Sequence, residues 1–308
     1  MSTMVIAGAS GFIGSYFRRE LTDAGWTVLT IGRSGDATWG DAAAMTAVLE
    51  GADLLVNLAG KSVSCRYTPA NRAEIFRSRV ETTAELGRAI AACQVPPRDW
   101  FNASTGTIYR DARDRAQTER DGELGTGFSV EVARRWEAAL AAAVTPETRK
   151  IPLRITIVMG PGGGVMRPFV TLVRLGLGGR MGAGTQKYSW IHVTDLLRAV
   201  LFIHEQPGIA GPVNIASPKP VTNAELMAEV RRAVRMPFGV PTPAWLLGMG
   251  AVLICTETEL VLKSRWVLPQ KLTDAEFTWR FPSLRGALAD IVAGVPVVAP
   301  VRTPRAQS

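Results

Sequence analysis

Gly8, Gly11 and Gly14 lie three apart near the start of the chain, between an apolar run at residues 4–8 and a helically spaced run at 12–24. Glycines so spaced, on a turn from strand into helix, suit one task. One makes the tight turn, one lets backbone N–H groups close on a diphosphate, and one lets the helix pack on the strand. The helix N-terminus then faces the phosphates, whose charge its dipole favours. A strand before and a helix after, within a βαβ unit, are the context this motif needs. Gly8, Ser10, Gly11, Phe12 and Ile13 are therefore candidate dinucleotide contacts. The competing reading is a glycine turn with no ligand.

The next strand ends Ile31-Gly32-Arg33-Ser34. A site for NAD usually places an acid here, to hold the ribose 2′-hydroxyl. Arg33 instead offers a forked donor suited to a 2′-phosphate, with Gly32 and Ser34 beside it. The expected cofactor is NADP(H), against the alternative of a surface arginine. The third strand ends Asn57-Leu58-Ala59-Gly60, whose small residues let a loop pass close to the adenine ribose. His192 titrates near neutral pH and is a candidate acid or base. Its alternative role is to support a strand-to-helix joint, where Asp195 would bond backbone. His204, on an apolar helix, reads as structural.

The elements that must position these residues alternate. Strands are expected at 4–8, 26–32, 53–58, 99–104 and 151–158. Helices are expected at 12–24, 41–50 (Asp41 as N-cap, Gly51 after its end), 72–93 and 128–143. Strands separated by helices imply parallel pairing in a doubly wound α/β sheet. After Gly160 the chain turns glycine-rich, with an amphipathic piece at 169–177. A strand at 189–193, a helix at 194–206 and a strand at 212–216 follow. Thr222-Asn223-Ala224-Glu225 is a capping box for a helix to about residue 234. Pro243, a second apolar helix and segments 277–281 and 284–292 complete a smaller mixed lobe. The expected division is a dinucleotide-binding domain over 1–160 with return elements near 189–216, a substrate lobe over 161–293, and a flexible tail over 294–308. The stretches 160–164 and 176–184 would line the cleft between lobes, with Arg180 and Gln186 placed to contact an anionic or hydroxylated substrate. Flexible connection is the alternative there. Trp190, Trp245, Trp266 and Trp279 read as core.

Composition narrows the function classes. Of 308 residues, 47% are apolar and 20% charged, ordinary for a globular protein. Thirty-five Lys and Arg against 27 Asp and Glu give a net charge of +8. The basic residues are scattered, with no Lys/Arg block and no aromatic interleaving, so the charge reads as solubility and attraction for anionic ligands rather than a nucleic-acid footprint. Cys65, Cys93 and Cys255 are far apart and odd in number, which supports neither a disulfide framework nor a zinc site. The apolar stretch 244–255 is too short for a membrane span. A soluble, cytoplasmic protein is the expectation.

Gly8-x-x-Gly11-Phe12-Ile13-Gly14 with Asn57-Leu58-Ala59-Gly60 resembles the extended short-chain dehydrogenase/reductase superfamily. Later segments narrow the resemblance: Ser78-Arg79-Val80-Glu81-Thr82-Thr83, Arg134-Arg135-Trp136-Glu137, Gly176-Leu177-Gly178-Gly179, Ser189-Trp190-Ile191-His192-Val193-Thr194-Asp195 and Gly211-Pro212-Val213-Asn214. They resemble an atypical, epimerase-like branch of unassigned substrate. A C-terminal extension around Arg265-Trp266-Val267-Leu268-Pro269-Gln270-Lys271 also matches, so the likeness runs over residues 4–293. It implies a Rossmann-type α/β domain with a smaller mixed α/β substrate lobe. It also implies cofactor contacts from Gly32 and Arg33 at the 2′-phosphate, Leu58 and Ala59 at the adenine ribose, Glu74 and Arg79 from the long helix, and Val158 near the nicotinamide. A homodimer through the helices at 72–93 and 128–143 is expected by analogy with the superfamily.

Ordinary members of that superfamily use a Ser or Thr with Tyr-x-x-x-Lys. The tyrosine moves a proton at the substrate oxygen, and the lysine lowers its pKa and holds the ribose. Asn102-Ala103-Ser104-Thr105 places Thr105 at the hydroxyl position. Aligned on Trp136-Glu137, Ser129 stands where the tyrosine belongs and Ala133 where the lysine belongs. The dyad is absent. Candidate proton donors are Tyr109, Lys61, His192 and ordered water. Lys61, where the family more often has an acid, could also mark a changed substrate charge or be a solvated loop lysine. The expected function is an NADP(H)-dependent oxidoreductase or epimerase-like enzyme acting on a small carbonyl, enone or hydroxylated compound. The alternatives are an NADPH-sensing binding protein and a non-redox biosynthetic enzyme using the same pocket.

Overall fold

The computed structural model describes residues 2–242 and 263–293. The expectations for Pro243, the apolar helix at 244–255, Trp245, Cys255 and the tail at 294–308 lie outside the described residues.

The first strand, β1 (Thr3–Ala7), shows how the sheet is built. Its side chains alternate faces. Met4 and Ile6 enter one buried cluster, with Phe17 and Leu21, while Val5 and Ala7 enter another, with Leu86 and Trp100. A strand apolar on both faces belongs in the middle of a helix-covered parallel sheet. There β1 pairs in parallel with β2 (Thr27–Gly32) and β4 (Leu54–Asn57). With β3 (Ala37–Thr38), β5 (Asp99–Thr105), β6 (Arg149–Ile155) and β11 (Val213–Ile215), the seven-stranded order is β11-β6-β5-β4-β1-β2-β3. The chain leaves β1 for β2 on one side and returns to β4 on the other. Ligands of such sheets bind at this switch point, outside the carboxyl ends of the strands.

Register brings the motif residues together there. Ala7 is aligned with Ile31 and Asn57, so Gly8, Gly32 and Leu58 leave the sheet side by side. The helices α1 (Phe12–Asp23) and α2 (Ala42–Leu49, capped by Asp41) run back across the sheet. So do α3 (Pro69–Ala91, capped by Thr68) and α4 (Phe128–Ala142).

One expected element divides. The run at 151–158 breaks at Thr156: β6 stays in the main sheet, while β7 (Ile157–Gly160) pairs with β10 (Trp190–His192) and β8 (Gly163–Gly164) in a second sheet. Thr156 donates its N–H and hydroxyl to the Ile215 carbonyl, which holds the break against β11. A separate buried cluster gathers α5 (Met166–Arg174), α7 (Asn223–Ala233) and α9 (Leu284–Ala293) around Val173, Trp190, Met227 and Leu288. The capping box at Thr222 and Glu225 is present. Helix α6 (Val193–Glu205) packs into the main-sheet cluster, and its buried Asp195 accepts the N–H groups of Arg280 and Phe281.

Residues 264–268 are bound to the loop at 112–117 by backbone. Gln117 and Val267 form a parallel bridge, with Gln117 N donating to Trp266 O and Leu268 N to Gln117 O. The short helix α8 (Gln270–Asp274) follows, and the half-buried Glu119 accepts the N–H groups of Asn214 and Gln270.

Candidate functional site

The turn after β1 is shaped by contacts a side chain would destroy. Gly8 has φ +85°, and a Cβ there would stand 2.8 Å from the Ala59 nitrogen. A Cβ on Gly14 would come within 2.7 Å of Ala9 Cα and the Gly8 carbonyl, so α1 can lie on the strand end only with glycine at that position. Gly11 is the N-cap of α1 and supplies no side-chain cap, and no acid stands in the first turn. The opening N–H groups of this helix therefore point at the turn without a partner from the cap, an arrangement suited to a diphosphate.

Two cavities meet at this turn and share Gly8, Gly11 and Leu58. The outer groove, about 760 Å³, runs past Ser10, Gly32, Arg33 and Trp39 on one wall and Ala59, Gly60, Lys61 and Glu74 on the other. Arg33 is exposed. The next acid in the sequence, Asp36, is turned back onto β2, where one carboxylate oxygen accepts both the N–H and the hydroxyl of Thr30 at 2.8 Å. Ser34 is exposed but does not line the groove. Lys61 does, with its ammonium 2.9 Å from Asn71 Oδ1, and the Glu74 carboxylate is held by Arg77 at 2.8 Å.

The inner cleft, about 360 Å³, begins at Phe12 and Ile13 and passes Val158 and the ends of β5 and β6. Its aliphatic hydroxyls are Ser104, Thr105, Thr107, Ser129 and Thr156. Its apolar wall includes Val63, Tyr67, Phe128, Val132 and Trp136. Tyr67, from the loop after β4, packs on Phe128 of α4 with ring centroids 4.7 Å apart. Arg79 also lines this cleft and not the outer groove. Its Nη1 donates to the carbonyls of Lys61 (3.0 Å) and Ile75 (3.2 Å), and its guanidinium lies 5.0 Å over the Trp136 ring. Gly60 leaves room for it, since a Cβ there would sit 2.9 Å from Arg79 Cζ. Burial pushes the guanidinium down to about 10.

Ser129 stands in the cleft, whereas Ala133 does not. Ala133 is fully buried among Ile108, Tyr109 and Val267, so a side chain of the extension fills the space beside the expected lysine position. The remaining catalytic candidates separate. Thr105 faces the cleft, and its hydroxyl donates to Thr107 Oγ1 at 2.9 Å. Tyr109 lies behind the wall. Its hydroxyl donates to Asn214 Oδ1 and accepts from Arg154 Nη1, both at 2.9 Å, and burial raises its pKa. His192 caps α6, with Nδ1 accepting the Thr194 N–H at 3.2 Å and Nε2 standing 3.3 Å from Asp290. Burial lowers its pKa against the pull of Asp290 and Asp195. Neither residue lines the cleft.

Arg180 and Gln186 also stand apart. Arg180 is exposed, and Gln186 is buried, donating to the Met181 carbonyl. The glycines 160–164 do not line the cleft as expected; Gly160, Gly163 and Gly164 pack on Phe12. Three features escaped the sequence reading: Trp39 in the outer groove, the Tyr67–Phe128 wall, and a buried relay behind the cleft. In that relay Ser104 donates to Glu137 at 2.7 Å, and Arg154 binds the same carboxylate through two nitrogens. Trp136-Glu137 was a usable signal for the relay. Nothing local marked Tyr67.

The model of the NAD dependent epimerase/dehydratase family matches residues 4–216, and a domain of unknown function, DUF1731, matches residues 242–291. An epimerase family protein of Mycobacterium bovis, Mb2239, is 33% identical over 299 residues, covering 93% of this chain and 96% of its own. The crystal structure of human epimerase family protein SDR39U1 (isoform 2) with NADPH superposes with a TM-score of 0.86 at 28% identity, covering 94% of this chain and 99% of that one. A nucleoside-diphosphate sugar epimerase from Corynebacterium glutamicum gives a TM-score of 0.75 at 27% identity, covering 94% of this chain and 58% of that one. Matched over most of its length by family model and relative alike, the chain belongs to the NAD dependent epimerase/dehydratase family.

Proposed function

We propose that this protein binds NADP(H) across the switch point and uses it on a small carbonyl or enone in the inner cleft. The carrying observation is that two cavities, one lined by Arg33 and the other by Val158, share the Gly8–Gly11 turn and Leu58 at the uncapped start of α1. The diphosphate would meet the Gly8–Gly11 turn and the N–H groups of α1. The 2′-phosphate would meet Arg33, and the adenine side would lie by Leu58 and Ala59. The NADPH of the human relative supports the choice of cofactor.

Bound there, the nicotinamide supplies or accepts a hydride. The chain's own work is to hold the reacting carbon beside Val158 and Thr105 and to exclude water with Tyr67, Phe128 and Trp136. Among the described residues that line the cleft with Thr105 there is no Lys, His or carboxylate, and its one Tyr, Tyr67, has its ring packed on Phe128. Addition of hydride to an enone suits this site better than reduction of a plain ketone, because the enolate can be protonated from solvent away from helix α4.

The same lack of a placed acid favours a second reading, a protein that binds NADPH and reports it to a partner. Single-turnover loss of NADPH absorbance over a carbonyl and enone panel separates the two. Tight binding without turnover, with a partner captured only when NADPH is present, supports the sensor. Product formed with no change in cofactor redox state supports non-redox use of the pocket. For the cofactor itself, calorimetry should show NADPH bound more tightly than NADH. Arg33→Ala should cost NADPH about tenfold or more and NADH little. An equal loss for both removes the 2′-phosphate role.

A further inference from the structure

We infer that an apolar platform flanked by arginines, built from residues 174–180 and 235–241, seats the protein on the surface of an anionic lipid bilayer. This contact needs no bound nucleotide and stands apart from the cofactor site.

The chain after α5 and the chain after α7 run side by side. Val240 N donates to the Gly176 carbonyl, Gly179 N to the Val240 carbonyl and Thr242 N to the Arg180 carbonyl. Glycine lets the two backbones touch, since a Cβ on Gly239 would stand 2.5 Å from the Gly178 carbonyl carbon. Arg231 of α7 ties the pair to that helix by donating to the Gly178 carbonyl. This paired segment carries Leu175, Leu177, Phe238 and Val240, four of the seven large apolar side chains exposed among the described residues. Leu175 and Phe238 are 69% and 60% exposed. The Phe238 ring lies against Gly176, which separates Leu175 from Leu177, and Val240 is bonded to the same glycine, so the four share one patch. A lone exposed leucine needs no explanation, but apolar side chains gathered within a polar rim mark an interaction surface.

The rim is basic. Arg174, Arg180 and Arg235 flank the patch and are exposed. Residues 148–194 and 230–256 contain no Asp or Glu. Glu229, the last acid before the second stretch, is held by Arg232 and Arg285. An anionic bilayer answers both halves of this surface. Its phosphates meet the arginines, and the boundary between headgroups and acyl chains takes up leucine and phenylalanine. A nucleic acid would use the arginines and leave the aliphatic side chains in water. A second copy would set the basic rim against its own equivalent across a twofold axis. The sequence continues in the same vein: from Phe238 to Thr256 it carries no charge, and Trp245, Leu246 and Leu247 follow the platform in the chain.

The test is co-sedimentation of the full-length protein, free of nucleotide, with lipid vesicles. Mixed phosphatidylcholine and phosphatidylglycerol vesicles are set against phosphatidylcholine alone. Binding to the mixed vesicles is expected to be at least about tenfold tighter and to weaken as salt is raised. Phe238→Ser, which leaves the charge unchanged, should lower that binding by about tenfold, and Leu177→Ser should lower it further. Replacing Arg174, Arg180 and Arg235 together with Gln should lower it about a hundredfold, near fivefold for each arginine. Val144→Ser, at an exposed apolar side chain just past α4, should leave it unchanged. Equal binding to the two kinds of vesicle in the wild type overturns the inference, whatever the variants do. So does a Phe238→Ser protein that binds the mixed vesicles as well as wild type, because net charge or another part of the chain is then responsible. Self-association in sedimentation velocity that Phe238→Ser abolishes, with no vesicle binding, assigns the patch to a second copy and overturns it too.

Discussion

At the residue scale, the site is defined as much by side chains that are missing as by those present. Ser129 lines the cleft where a tyrosine would serve, and a serine hydroxyl is too weak an acid to replace one. Ser129→Ala should therefore leave NADPH affinity and carbonyl turnover within about twofold. A thousandfold fall would relocate the proton donor to this helix. Gly8 shows the opposite kind of constraint. Its φ of +85° and the 2.8 Å approach to Ala59 make Gly8→Ala costly in both backbone strain and contact. A loss of about 2 kcal/mol or more in denaturant unfolding is expected, together with loss of NADPH binding. Stability within 0.5 kcal/mol of wild type, a roughly neutral value, would mean that the turn relaxes easily. The glycine motif was legible because its chemistry is local: three positions on one turn. Tyr67 and Arg79 were not equally legible, since what matters about them is which cavity they enter, and spacing does not encode that.

At the element scale, the C-terminal extension explains why the expected dyad cannot simply be restored. Residues 264–268 lie along the loop at 111–119 through backbone hydrogen bonds, and this places Val267 on Ala133. A lysine at 133 would be buried against Val267, Ile108 and Tyr109, with no carboxylate in that cluster. Ala133→Lys is expected to cost at least about 3 kcal/mol in chemical unfolding, from overpacking and a buried charge together. An unchanged midpoint would show that the extension yields at this point. The exposed faces of α3 and α4 bear Arg77, Glu81, Arg88, Arg134 and Arg135. A homodimer through these helices, drawn by analogy with the superfamily, would have to pair those charges across its axis.

At the scale of the whole molecule, pH should act far from the cleft. Asp99, at the start of β5, is buried beneath His204 and Arg149, at 2.6 and 2.5 Å. Burial works to raise its carboxyl, but the hydrogen bonds from His204 and Arg149 outweigh that and hold it below its ordinary value. A depressed carboxyl stabilises the fold at every pH above its unfolded pKa, near 3.9. That contribution is lost as pH falls through the folded value. His192 acts in a higher window. Held neutral by burial, it takes up its proton later than it does in the unfolded chain, so stability declines as pH drops below about 6.5. Thermal melts from pH 7 to 3 should fall in these two steps. His192→Asn should flatten the first, while Asp99→Asn should flatten the second at a cost of about 3 kcal/mol at neutral pH. A single step below pH 4 in the wild type would remove His192 from this account. Among the described residues no helix is long and apolar enough to cross a membrane.

By itself the sequence determined the strand and helix alternation, the phosphate turn and the absence of the Tyr-x-x-x-Lys dyad. Each is written in local periodicity or in residue type at fixed spacing. The tertiary structure alone decided that the run at 151–158 changes sheets at Thr156, that Arg180, Gln186, Tyr109 and His192 stand away from the cleft, and that Arg79 opens onto it. Those facts depend on contacts between residues tens to hundreds of positions apart. Arg79 meets Trp136, Thr156 meets Ile215, and Val267 meets Ala133. Only the packed sheet and its helices bring such partners within reach.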